Sequence, residues 1–311
     1  MAARYVSQPL QGVIPILPVP FTGRGAVDEE SFRKVVDGCI GDGVNGLAIF
    51  GLASEYAKLT EDERLVLIRS LVDEVAGRVP VIVSITHHSL EVAERQAGEA
   101  AWMGATALMV LPPFFLSPGP SAVKAHLRAI AAAVDLPVIV QYAPAHASAD
   151  LTLDLLAEIV CEYPNLQYLK VDQVPSGSTV SGAVSRGLKP MLGYMGLFLP
   201  QDVKRGAVGV MPTVSVAKGF VRLWQLLQES PEEGRKAHQR VLPLLQFMMQ
   251  SVEMLVAVEK LLLVQRGWIA DDYRRAPRWD LDEWQKREIE TLCAEQSEFL
   301  GWSVAGTRFA S

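Results

Sequence analysis

Apolar residues along this chain fall into short runs separated by stretches with helical spacing. Gly12 to Phe21 opens the series, a helical pattern follows over Asp28 to Ile40, and then come the run Val44 to Phe50 and a second helix over Thr60 to Val75. Further runs lie at Val79 to Ile85, Ala105 to Leu111, Pro137 to Tyr142, Leu166 to Val171, Met191 to Tyr194 and Ala207 to Met211, with helix-like segments between most of them. These make eight strand candidates. VPVIVSI and ATALMVL are apolar almost throughout, as a sheet covered on both faces requires, so the sheet is parallel. Nothing reads as the glycine fingerprint of a dinucleotide site, and eight successive strands match the number that closes a (β/α)8, or TIM, barrel.

Several helix starts carry local support. Thr60 before Glu61, Asp62 and Glu63 places a capping hydroxyl and an acidic third residue ahead of the apolar pattern, while Ser121 after Pro120 and Asp150 before LTLDLLAEIV are weaker starts. From Val214 onward the pattern is helical, with Leu, Met and Val too regularly spaced for a solvated tail. The expected organisation is a barrel over residues 1–228 and a C-terminal helical extension over 229–311, packed on the barrel or on a partner subunit.

Composition narrows the function classes. The chain has 311 residues, half of them hydrophobic, which suffices for a large core without metals or disulfides. Its net charge of -6, with the basic residues scattered, argues against a nucleic-acid partner. Cys39, Cys161 and Cys293 are too far apart to suggest a disulfide framework or a metal cluster, so a reducing, cytoplasmic compartment is expected. The most apolar late stretch, Val252 to Val264, is interrupted by Glu253, Glu259 and Lys260, and no membrane span is expected.

Lys170 is the sharpest local feature, because NLQYLKVD sets an ammonium inside an otherwise covered strand. Lys58, Lys124, Lys204, Lys236 and Lys260 fall in loops or helical patterns where their heads are expected to reach solvent. If Lys170 faces the active end of a barrel, burial favours its neutral amine, which attacks carbonyls and forms an iminium that stabilises charge at the adjacent carbon. The plainer alternatives are that it ends the strand, reaches solvent or pairs with Asp172.

Three other segments carry candidate chemistry. In GLASEYAKLTEDE, Gly51 and the following amides can form a small anion nest with Ser54 adding a hydroxyl, or simply a turn before a capped helix; Glu55 fits loop support first. His87 and His88 follow the third strand and His146 the fifth. Their spacing implies no metal site, but His88 or His146 can reach a polar substrate as readily as lie on a loop surface. His126 and His238 sit in helical patterns and read as structural. Phe114 and Phe115 can wall a pocket or pack a proline-rich loop.

GVIPILPVPF, GLASE, LPPFF, LPVIVQYAP, YLKVD and GAVGVMP occur in the order found in the dihydrodipicolinate synthase and N-acetylneuraminate lyase family, which the chain resembles over about residues 10 to 300. The resemblance implies a (β/α)8 barrel with a helical extension, commonly a tetramer, and assigns Lys170 as the amine that forms an imine with pyruvate or another 2-oxo acid, with no separate cofactor. The chain departs from the family pattern at Leu52 and Ala53, where hydroxyl-bearing or related residues are usual, and at Gln141, where a catalytic tyrosine is usual. Tyr142 cannot replace that tyrosine without a bulge, because alternation turns it to the opposite face. SEYAKLT, THHS and IVQYAP are similar to the branch that dehydrates 2-keto-3-deoxy sugar acids, such as 2-keto-3-deoxy-arabonate.

That resemblance implies catalytic roles for Lys170, Gln141 and Ser54 and substrate-binding roles for Gly51, Leu52, Ala53, His88, Phe114, Gly193 and Met211. The expected activity is a Schiff-base dehydration, with an aldolase or dihydrodipicolinate-synthase-like enzyme as the alternative chemistry and an inactive ligand-binding barrel as the alternative of another class. The expected partners are a small 2-oxo acid and further copies of the chain, as a dimer or tetramer.

Overall fold

The computed structural model describes residues 9–113, 118–144 and 151–302. The first elements are β1 (Gly12–Val13), α1 (Glu29–Gly41), β2 (Leu47–Ile49), α2 (Glu61–Val75), β3 (Val81–Ile85), α3 (Leu90–Trp102), β4 (Ala107–Val110) and α4 (Pro120–Ala133). Next come β5 (Val138–Tyr142), α5 (Leu153–Glu162), β6 (Leu166–Val171), α6 (Gly177–Val184), β7 (Lys189–Leu192), α7 (Leu199–Lys204) and β8 (Gly209–Val210). The C-terminal region is helical, as expected: α8 (Ala217–Glu229), α9 (Pro231–Met248), α10 (Val252–Gln265), α11 (Glu283–Glu295) and α12 (Ser297–Leu300). Hydrogen bonding orders the strands β1-β8-β7-β6-β5-β4-β3-β2. Eight parallel strands in that order, each followed by a helix, define the (β/α)8 class. The chain forms two compact units, one holding Pro80–Met211 with the chain up to Gln11, the other holding Gly12–Val79 with the chain from Pro212 on.

In the first unit the strands are buried along their length. Every residue of β3 and β4 is buried, which is why VIVSI and ALMV carry no polar face. β3 and β4 pair in step, Ile82 with Ala107 through Ile85 with Val110. Between β5 and β6 the register shifts once, between Val138 and Ile139, and then runs one to one from Ile139 with Tyr168 to Tyr142 with Val171. Such positions hold the core: Leu108 has no exposed surface, and its truncation to alanine is expected to cost about 2–5 kcal/mol. Two helix starts differ from expectation. α4 begins at Pro120, whose missing N–H costs nothing in a first turn, with Gly119 rather than Ser121 at its boundary. α5 is capped by Thr152, whose hydroxyl accepts from the Leu155 N–H; Asp150 lies outside the described residues.

In the second unit the expected first strand shortens to β1 and isolated parallel bridges from Ile16 to Ala48 and Thr213. Pro15, Pro18 and Pro20 remove the donors that a longer ladder needs, yet Ile14, Leu17, Val19 and Phe21 remain buried. The predicted capping box of α2 is present: Thr60 accepts from the Glu63 N–H while the Glu63 carboxylate accepts from the Thr60 N–H. α10 is buried on nearly all sides, including Glu259 and Lys260. Among the described residues no single helix is long and apolar enough to cross a membrane; α9 and α10 together suffice by length and composition but bend by 111° at their junction.

Candidate active site

Parallel pairing sets Lys170 of β6 level with Gln141 of β5 and Met191 of β7. Side chains at paired positions point to one face, and both Lys170 and Gln141 are buried there. Asp172 lies two residues beyond Lys170, the spacing that returns a side chain to that face. Its Oδ2 stands 2.8 Å from Lys170 Nζ and accepts from Gln141 Nε2 at 2.6 Å. Its Oδ1 accepts from the Tyr194 N–H at 3.3 Å. A Cβ at position 193 would stand 1.5 Å from that oxygen, so only glycine leaves the carboxylate its place. Tyr194 and Met195 follow with φ of 45° and 52°, left-handed values that cost non-glycine residues about 1–3 kcal/mol each. Burial and then the Asp172 charge push the Tyr194 phenol up.

This arrangement puts an amine and a carboxylate in contact. An ammonium and a carboxylate 2.8 Å apart can pass a proton directly, and once Asp172 carries it, Lys170 is a free amine able to add to a carbonyl. Gln141 and the Tyr194 N–H hold the carboxylate while it does so. Tyr142 is half-buried and stays on the face opposite Gln141, because the only register shift between β5 and β6 lies upstream at Val138 and Ile139.

The segment after β2 has its own geometry. Phe50 and Glu55, with φ of 65° and 53°, bracket a short 3-10 turn at Leu52–Ser54. The Ser54 N–H donates to Gly51 and the Glu55 N–H to Leu52, which leaves the Leu52 and Ala53 N–H groups without an acceptor among the described residues. Two adjacent free donors are what a carboxylate can use, whatever the side chains. Ser54 is fully buried and its hydroxyl donates to the Leu17 carbonyl at 2.5 Å. Glu55 Oε1 lies 2.5 Å from Lys260 Nζ, and Oε2 lies 3.1 Å from Lys58 Nζ, the supporting position expected of this residue.

Lys260 overturns one expectation: it has no exposed surface. Its ammonium also donates to the Tyr273 carbonyl at 2.9 Å and lies 4.3 Å from the centre of the Phe21 ring. Burial lowers its pKa to about 8. The apolar run MLVAVEKLLLV around it marks the helix as apolar without showing how many of its sides are covered.

The remaining predicted residues lie on other segments. His88 is exposed after β3, while the Ser89 N–H donates to Nδ1 of its neighbour His87 at 3.0 Å. Met211 is buried just beyond β8, its N–H donating to Leu192 at 2.8 Å. Phe114, with Phe115 and His146, lies outside the described residues. His126 and His238 are buried in helices, and burial with the nearby His88 and His87 lowers His126 to about 4. Among the described residues no group of three or more His, Cys, Asp or Glu side chains is placed to hold a metal. Around Lys170 the structure gathers Gln141 and Gly193 and adds Asp172 and Tyr194, neither of which the sequence reading gave a catalytic or binding role.

Comparison with known proteins places the chain. A relative named L-2-keto-3-deoxyarabonate dehydratase, from Azospirillum brasilense, is 30% identical over 288 residues, covering 90% of this chain and 92% of the relative. A 4-hydroxy-tetrahydrodipicolinate synthase from Acidobacterium capsulatum is 28% identical over 295 residues, covering 92% and 95%. The solved 4-hydroxy-tetrahydrodipicolinate synthase of Methylacidiphilum fumariolicum SolV superposes with a TM-score of 0.87 at 22% identity, covering 95% of this chain and all of that one, and so shares its fold. The model of the dihydrodipicolinate synthetase family matches residues 9–296. With its fold and Lys170 in view, the chain belongs to that family of Schiff-base lyases.

Proposed function

We propose that the protein is a Schiff-base dehydratase acting on a 2-keto-3-deoxy sugar acid such as 2-keto-3-deoxy-arabonate. The observation that carries this reading is the carboxylate of Asp172 held between Lys170 Nζ and Gln141 Nε2, an acid/base built on the imine-forming lysine where the usual tyrosine is missing. The name of the Azospirillum relative supports the same substrate class.

In this mechanism Asp172 takes a proton from Lys170, the amine adds to the C2 carbonyl and passes one of its own protons to the oxygen, and the proton held by Asp172 follows, so that the oxygen leaves as water to give the iminium. The Asp172 carboxylate then removes a proton from C3, the electron pair moving into an enamine. That proton goes to the C4 hydroxyl, which departs as a second water and leaves a conjugated iminium; rearrangement and hydrolysis release the product and restore Lys170. Gln141 steers Asp172 by its hydrogen bond. The free N–H groups of Leu52 and Ala53, following Gly51, are assigned to the substrate carboxylate, and Ser54 is assigned to holding that loop through Leu17. His88, Gly193 and Met211 complete the proposed substrate-binding set, and no separate cofactor enters. The proposal retains a catalytic barrel over residues 1–228, a helical extension over 229–311, and a cytoplasmic homo-oligomer, dimer or tetramer.

Borohydride trapping with pyruvate and a panel of 2-keto-3-deoxy acids, followed by peptide mass mapping, tests it. The expected result is a substrate-dependent adduct on Lys170 and an unsaturated or oxo-acid product with its carbon chain intact. Pyruvate plus an aldehyde would instead identify an aldolase. An unmodified Lys170 with every turned-over substrate, or full turnover by K170A, overturns the mechanism.

A further inference from the structure

We propose that Lys260 is a positioning residue for the substrate-binding loop Phe50–Glu55, holding it in its strained shape through the ion pair with Glu55. This inference rests on the proposed role of the Leu52 and Ala53 N–H groups and adds to it the device that presents them.

The loop is left-handed at both ends, at Phe50 and at Glu55, and neither is glycine. Such residues relax to ordinary backbone unless their surroundings fix them. Each is fixed by a buried cation from outside the loop. The Arg64 guanidinium stacks 4.1 Å over the Phe50 ring, and the Lys260 ammonium lies 2.5 Å from the Glu55 carboxylate. Glu55 closes the 3-10 turn by donating its N–H to Leu52, so displacing Glu55 breaks the bond that fixes the turn carrying the two amides before Ser54. Ser54 anchors only the middle, through Leu17.

Lys260 is set for this task and has little freedom for another. It is held from α10, a helix buried on nearly all sides, where its ammonium pairs with Glu55 and donates to the Tyr273 carbonyl. The charged groups around it are Glu55 and Lys58 of the loop region, Arg274 beyond α10, Arg275 stacked on the same Phe21 ring, and Glu253, which pairs with Lys58. Lys58 also holds Glu55, so loss of the Lys260 charge weakens the clamp without removing it. Because burial brings Lys260 down to about 8, the clamp is charged at neutral pH and loses its attraction as pH rises through that value.

The test measures the pyruvate concentration that half-saturates borohydride trapping at Lys170, in the wild type, K260M and E55Q, at about pH 7 and about pH 9, with folding checked by circular dichroism. In the wild type this concentration is expected to rise about threefold between the two pH values. K260M is expected to raise it about tenfold at neutral pH, with the trapped fraction at saturation retained and the rise with pH abolished. E55Q, which keeps the shape of the side chain, is expected to give a smaller increase and the same loss of pH dependence, and it serves if K260M does not fold. Half-saturation unchanged in a folded variant, or equally pH-dependent in the wild type and E55Q, overturns the proposal. Absence of any adduct in the wild type is a different failure, that of the Lys170 mechanism.

Discussion

Two lysines in this chain are buried and paired with carboxylates, and they are built for opposite ends. Lys260 is enclosed: Glu55, the Tyr273 carbonyl and the Phe21 ring take up its ammonium. Lys170 has Asp172 as its one partner among the described residues, and that partner is also held by Gln141 and the Tyr194 N–H. A lysine enclosed by an ion pair, a carbonyl and a ring can fix a loop but is not free to attack a carbonyl. A lysine with one partner, able to accept its proton, can. Burial and ion pairing therefore do not mark a nucleophile; the number of partners around the ammonium separates the two sites.

The largest effect is expected where this distinction meets the chemistry. D172N keeps the shape of the carboxylate but removes its capacity to take a proton, so kcat for the proposed dehydration is expected to fall about 10²–10⁴-fold. Imine trapping with pyruvate at long reaction times is expected to survive, since solvent can relay those slower steps. Steady-state assays alongside trapping separate the two, and a D172N enzyme with near-normal kcat would remove Asp172 from the mechanism.

The contrast between the lysines also shows what could be read in advance. The eight-strand rhythm, the capping box at Thr60 and the position of Lys170 in a covered strand were legible, because apolar periodicity and local capping are sequence-local signals. Lys260 was misjudged as solvent-reaching, because periodicity says that a helix is apolar but not how many of its sides are covered. Asp172 was legible only as an ion-pair partner. Its role depends on the register that sets Gln141 beside Lys170 and on the Gly193 turn that brings in the Tyr194 N–H. Those are long-range relations between strands. The first strand shortened for a local reason, three prolines, that the apolar run concealed.

Stability should separate the lysines as well. K260M removes the cation beside the buried Glu55 carboxylate and leaves the Tyr273 carbonyl without its donor, and a cost of about 2–4 kcal/mol is expected in urea denaturation. A variant as stable as the wild type would mean that the enclosure seen around Lys260 does not hold it.

Alkaline pH gives a related, somewhat smaller effect with a definite sign. The folded Lys260 titrates at about 8, below its ordinary 10.5, so across that interval the unfolded chain binds more protons than the folded one. Stability due to this group therefore rises with pH from about 8 toward 10.5, by up to about 3 kcal/mol, and is flat below. A neutral lysine can still donate where methionine cannot, so this gain and the cost of K260M are compatible. The difference in unfolding free energy between wild type and K260M is expected to widen with pH in that window; a narrowing gap would reverse the assignment.

Returning to Lys170, G193A brings a methyl against Asp172 Oδ1 and must displace the carboxylate. An activity loss of about 10–100-fold is expected, with kcat falling more than KM rises, because in the proposed mechanism the group moved serves the chemical steps. A change in KM alone would assign the Gly193 turn to substrate binding.

The smallest expected effect is the stability cost of removing Lys170 itself. Deleting one member of a buried ion pair usually leaves an uncompensated charge. Here the Asp172 carboxylate would keep the Gln141 amide at 2.6 Å and the Tyr194 N–H at 3.3 Å, and such hydrogen bonds to a charged group offset much of the loss. K170M is therefore expected to cost about 1 kcal/mol in denaturant unfolding while abolishing the trapped adduct. A reactive lysine has to be removable in this sense, since its ammonium must give up its proton and its nitrogen must become part of an imine in every turnover without loosening the carboxylate beside it. If K170M destabilised the fold as much as K260M, both lysines would be structural clamps, and the difference in their partners would have no functional meaning.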